Sequence, residues 1–147
     1  NMTFLIDHTI LIKKLINDTS YFSAFLKSIH VSSSYIIYVG PKYMNSHLNP
    51  IKFNKYITIP EQNCFEKREI IFENIVSSFQ NKSIVFFSGG LGIKNIIYKL
   101  YLQYGEKHTF FDIGSVLDPF FDLWSRRTFL KNKSTISSNI SEIICLV

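Results

Sequence analysis

The sequence predicts an α/β chain: a Rossmann-like, largely parallel sheet of at least four strands flanked by helices, with an N-terminal helical segment. Three observations predict it. Short β-branched and aromatic runs alternate with segments of helical apolar spacing, the order of a parallel sheet with helical crossovers. The runs at 35–39 and 84–87 are apolar throughout, as in strands covered on both faces. A glycine-rich turn, Gly89-Gly90-Leu91-Gly92, joins one of these runs to the next helical segment.

Residues 4–30 read as helix in two pieces. Leu5, Ile6, Ile10, Leu11, Leu15 and Ile16 keep a helical spacing, and Asn17-Asp18-Thr19-Ser20 interrupts it. Asp18, Thr19 and Ser20 can each cap a second helix over 21–30. Ser32-Ser33-Ser34 is a loop. The first strand, 35–39, closes on Gly40-Pro41, and a short helix follows over 41–47 with its proline in the first turn. The second strand, 56–59, stops at Pro60, and a polar loop covers 61–65. The helix over 66–79 places Ile70, Ile71, Ile75, Val76 and Phe79 inward. Asn81-Lys82 turns into the third strand, 84–87. The helix over 92–104 carries Ile93, Ile96, Ile97, Leu100 and Tyr101, and Gly105 ends it as a C-cap. The fourth strand is 109–112.

Residues 125–147 are basic and Ser/Asn-rich up to a short apolar end, and read as a loosely attached tail or an edge strand. The expected organisation is therefore one α/β domain over 1–124, with helices at 1–30 and a Rossmann-like core at 35–122, followed by that tail. The opening Asn1 suggests a piece of a longer protein.

Composition narrows the classes. With 46% hydrophobic residues, including 14 Phe and 8 Tyr, the chain can bury a core and is not disordered. No window approaches the roughly 20 apolar residues that cross a bilayer. Net charge is +5, yet the lysines are scattered, with loose clusters at Lys13-Lys14 and at Arg126, Arg127, Lys131 and Lys133. A nucleic-acid binder concentrates its charge in a stripe, so none is expected as partner. Cys64 and Cys145 form no C-x-x-C pair, which favours a reducing, cytoplasmic setting. The four histidines lack ligand spacing for zinc.

Ligands of open parallel sheets sit beyond the carboxyl ends of the strands. Four segments reach that edge here: Val39-Gly40-Pro41, Pro60-Glu61-Gln62-Asn63-Cys64, Ser88 to Gly92, and Asp112-Ile113-Gly114-Ser115. Glycines let the backbone approach a ligand closely, and the N–H groups opening the next helix favour an anion. Gly89, Gly90 and Gly92 thus suit a phosphate, and Lys94 can pair with it from the first turn or lie solvated. The turn is neither a dinucleotide fingerprint nor a P-loop. Asp112 follows two phenylalanines and needs a partner. It either caps the N–H groups of Gly114 and Ser115 or holds a sugar, a ribose or a metal. Asp118 precedes Pro119 and either caps a helical turn or acts as general base. Together the two carboxylates can hold Mg²⁺ or Mn²⁺ beside a diphosphate. Arg126 and Arg127 either clamp a phosphate or open the tail as solvated charges.

In this order, Val39-Gly40-Pro41, Ile59-Pro60-Glu61-Gln62-Asn63-Cys64, Phe87-Ser88-Gly89-Gly90-Leu91-Gly92-Ile93-Lys94 and Phe111-Asp112-Ile113-Gly114-Ser115-Val116-Leu117-Asp118-Pro119 resemble the glycosyltransferases of the GT-D fold and the domains of unknown function grouped with them. The resemblance spans roughly residues 35–127, and the Asp-Ile-Gly-Ser segment with its later Asp-Pro is its most specific part. It implies a Rossmann-like fold and transfer of a sugar from a nucleotide diphosphate sugar to a saccharide acceptor, as in polysaccharide biosynthesis. It also implies that Asp112 lies near the donor, and that Gly89, Gly90 and Lys94 line its site. Better-known members carry Asp-x-Glu where this chain reads Ser115-Val116-Leu117-Asp118-Pro119. Many also carry an Arg-x-Gly-Asp-Gly-Glu segment that is not in this sequence. The alternative expectation is a non-catalytic nucleotide-binding or interaction domain.

Overall fold

Apolar side chains on both sides of four short strands give the sheet two faces to cover. The computed structural model describes residues 8–147. In it, β1 (Tyr35–Gly40), β2 (Lys55–Thr58), β3 (Ser83–Phe87) and β4 (Thr109–Asp112) form one all-parallel sheet in the order β2-β1-β3-β4. Gly40 pairs with Thr58, Val39 with Phe87, and Phe87 with Asp112, so the strands end together along one edge. The chain winds one way from β1 to β2 and the other way to β3. This reversal is the switch point at which doubly wound sheets bind ligands.

Alternation along the strands sorts the core into two layers. Ile37, Val39, Val85, Phe87 and Phe110 face α3 (Arg68–Ser78) and α4 (Leu91–Tyr104), meeting Ile71, Ile75, Ile93, Ile96 and Leu100. Ile36, Tyr38 and Phe86 face the opposite layer. That layer holds α1 (His8–Asn17), α2 (Thr19–Val31) and α6 (Lys133–Leu146), with α5 (Arg127–Lys131) leading into the last. Leu11, Leu15, Phe22, Leu26, Phe129, Ile136 and Ile143 fill it. The part of the predicted first helix that carries Leu5 and Ile6 lies outside the described residues.

The β1–β2 connection holds only a 3₁₀ turn, Lys42–Met44, in place of the short helix expected over 41–47. Side chains of the connection stand in for regular structure. Buried Asn49 donates to the Met44 carbonyl at 3.0 Å and accepts from the Ile51 N–H at 2.9 Å. Asn54 accepts from the Ile36 N–H at 2.8 Å and starts the pairing of β2 with β1. These bonds satisfy backbone groups that no ladder reaches.

Other expectations are corrected. The helix predicted over 66–79 is split into a 3₁₀ turn, Cys64–Lys67, and α3. Ile71 and Ile75, one turn apart, point inward, so Ile70 lies to the side and is 58% exposed. Tyr101, beside buried Leu100, is exposed for the same reason. Gly105 closes α4 with a right-handed backbone instead of the left-handed one a glycine C-cap usually supplies. Residues 125–147 are neither a loose tail nor an edge strand. Ile136, Ile140 and Ile143 repeat at helical spacing and pack into the core. The Asn139 amide donates to the carbonyls of Leu15 and Ile16 at 2.9 and 3.0 Å, tying α6 to the end of α1.

Candidate functional site

The strand ends enclose a cleft of about 420 Å³ at the switch point. Pro41, Tyr43 and Met44 enter from β1, and Ile59, Pro60 and Glu61 from β2. Ser88, Gly89 and Gly90 enter from β3, and Gly114, Ser115, Asp118 and Arg126 from the segment after β4. The volume suits a nucleotide-sized ligand. A larger hollow at the far end of α4 is lined only by the consecutive residues 101–107, and no groups from separate elements converge there.

The glycine turn is shaped for close approach. Gly90 has φ 64° and ψ −154°, a conformation essentially reserved for glycine, and a Cβ there would meet nothing within 4 Å. It is the N-cap of α4, and no side chain caps that end. The first N–H groups of α4 therefore lack a side-chain partner, the arrangement that draws anions to helix starts. Gly89 is small for a different reason: a Cβ would fall 2.7 Å from the Ile59 side chain and 3.0 Å from that of Ile93.

Asp118 sits at the start of a 3₁₀ turn, Asp118–Phe121, and is 6% exposed. One carboxylate oxygen accepts from the Tyr43 hydroxyl at 3.0 Å and the other from the Ser125 hydroxyl at 2.5 Å. Burial pushes its carboxyl above the usual carboxylate range, while both hydroxyls and the Arg126 charge pull it back. Tyr43 is pushed well above the ordinary phenol value, first by burial and then by the Asp118 charge, so it remains a donor. Arg126 donates through Nε to the Ser115 hydroxyl, which fixes the guanidinium at the cleft. Beneath the turn, the Tyr38 and Ser88 hydroxyls bond at 2.8 Å.

The cleft gathers Gly89, Gly90, Gly114, Ser115, Asp118 and Arg126. The other candidates lie outside its lining. Gly40 leaves room for the Tyr38 ring and the Tyr56 hydroxyl, its missing Cβ falling 3.1 Å from each. Gly92 lets the start of α4 pack on Cys64 and Phe65. Arg127 opens α5. Lys94 and Asp112 engage each other at 2.6 Å, and the second Asp112 oxygen caps the Gly114 N–H at 3.1 Å. That pair braces the first turn of α4 against the tip of β4.

The Asp112 and Asp118 carboxylates do not fit Mg²⁺ or Mn²⁺ as a pair. Each oxygen already has a donor, and a cation at Asp112 would have to displace an ammonium group 2.6 Å away. Among the described residues no three His, Cys, Asp or Glu side chains gather as ligands. The same residues contain no helix long and apolar enough to cross a membrane. Comparison of the chain with family models, curated proteins and solved structures finds no match.

Tyr43 and Ser125 were not candidates from sequence. Tyr43 lies 75 positions from its carboxylate partner. Its one signal is its place just past Gly40-Pro41, in a turn bound for the ligand edge.

Proposed function

We propose that the chain is a glycosyltransferase domain that moves a sugar from a nucleotide diphosphate sugar to a saccharide acceptor. One observation carries the reading: the glycine turn after β3, and Arg126 with a buried carboxylate from the segment after β4, line a single cleft at the switch point. In this reading the diphosphate lies over Gly89-Gly90 and the uncapped start of α4, with Arg126 beside it. The acceptor oxygen attacks the anomeric carbon as the bond from that carbon to the diphosphate oxygen breaks. The diphosphate leaves with the electron pair, and its growing charge is met by Arg126 and the N–H groups. The acceptor's proton passes to Asp118, whose raised carboxyl suits a base working nearer neutrality. Lys94 and Asp112 are positioning residues that hold α4 in place. The free thiols of Cys64 and Cys145 agree with a reducing, cytoplasmic setting.

A non-catalytic nucleotide-binding domain is the second reading, favoured by the hydroxyl already engaging each oxygen of Asp118. Thermal shift with UDP, GDP and ADP tests the binding that both readings share. Donor hydrolysis then separates them. Asp118→Asn is expected to lower turnover about 100-fold or more while nucleotide binding persists. Unchanged turnover in that variant overturns the catalytic assignment.

A further inference from the structure

We propose that Glu61 reads a vicinal diol, the ribose hydroxyls of the nucleotide whose diphosphate lies over Gly89-Gly90. The inference rests on the reading that the cleft binds a nucleoside diphosphate, and names a second contact for that ligand.

Glu61 stands just past the tip of β2, the strand beside β1, and lines the cleft with the Gly89-Gly90 turn. The chain around it is directed by backbone geometry. Pro60 precedes it with a fixed φ, and Asn63 takes the left-handed conformation at φ 59° and folds the segment back into the turn before α3. In dinucleotide-binding sheets an acidic residue that follows the glycine turn in sequence reads the ribose. Here the carboxylate comes from the strand end before the turn, and only its place in the cleft is shared.

The two carboxylates of the cleft differ in what they have left to offer. Asp118 is buried, and each of its oxygens already accepts a hydroxyl. Glu61 is exposed, and its carboxylate has no hydrogen bond or ion pair among the described residues. Its charge reaches Tyr43 across the cleft. A free carboxylate beside an anion-binding turn repels a ligand that is anionic throughout. It favours one that brings neutral O–H donors next to its anionic group. Two adjacent hydroxyls match its two oxygens, and charge-assisted bonds of this kind are the stronger ones.

Calorimetric titration of the full chain with UDP, with 2′-deoxy-UDP and with inorganic pyrophosphate tests this. Wild type is expected to bind UDP about tenfold more tightly than the deoxy form. In Glu61→Ala the ratio falls towards one, and pyrophosphate binds as tightly as before or more so. Glu61→Gln, which keeps the shape and loses the charge, gives an intermediate ratio. Equal binding of the two nucleotides by wild type, or an undiminished ratio in Glu61→Ala, overturns the role of Glu61 and leaves the nucleotide reading standing. If a GDP and ADP series also fails to bind, the nucleotide reading falls, and the inference with it.

Discussion

At Asp118, burial and hydrogen bonding pull in opposite directions, and Tyr43→Phe separates them. The phenol stabilises the ionised carboxylate, so removing it lets burial push the carboxyl higher still. In the proposed role Asp118 accepts a proton only when ionised. The acid limb of the kcat/KM profile should therefore move to higher pH in Tyr43→Phe, with little change on the plateau. A profile that scales down without moving would show that Tyr43 acts otherwise. Legibility at this scale followed chain distance. Asp118 could be singled out because it precedes Pro119 just past the fourth strand, where it could cap a helical turn or act as a base. Its partner Tyr43 could not, because the contact exists only once β1 and the segment after β4 lie side by side. For Asp112 the cap on Gly114, one of the two roles open from sequence, is present, and its ion pair with Lys94 joins two residues expected to meet a ligand separately.

Among the elements, strands were the most readable. The runs at 35–39 and 84–87 fall within β1 and β3, because a doubly covered strand is apolar along its length, and 109–112, with Thr109 and Asp112 at its ends, matches β4. β2 is one residue out of register with its expectation, as short strands at a sheet edge often are. Helix starts were readable only as a choice. Three residues could have capped α2, and Asp18 does so, accepting from the Tyr21 N–H at 3.0 Å. Asp18→Ala should cost about 1 kcal/mol of folding stability, measurable by urea denaturation. Ser20→Ala, which removes a candidate that does not cap, should be close to neutral. α6 escaped notice because serine and asparagine lower helical propensity and masked an isoleucine stripe at the right spacing. Tertiary burial of that stripe outweighs the weak local preference.

Across the molecule, the sheet divides the core unequally. α3 and α4 cover one face with segments that lie between the strands they cross. The other face depends on helices from both ends of the described chain. Deleting residues 133–147 should therefore do what loss of a loose tail would not. It uncovers Leu11, Leu15, Phe22 and Phe129, and removes the bonds from Asn139 to α1. The truncated chain should lose its cooperative thermal transition and elute as aggregates on size exclusion. A sharp transition near that of the full chain would mean that α6 adds little.

The reach of α6 back to α1 also sets an order of events during synthesis. On the ribosome, the α3–α4 side can close once β4 has emerged, since every part it needs is already made. The opposite side must wait for Asn139 and Ile143. Until then Leu11, Leu15 and Phe22 stay open to solvent, so the nascent chain passes through a half-finished state that calls for chaperone cover.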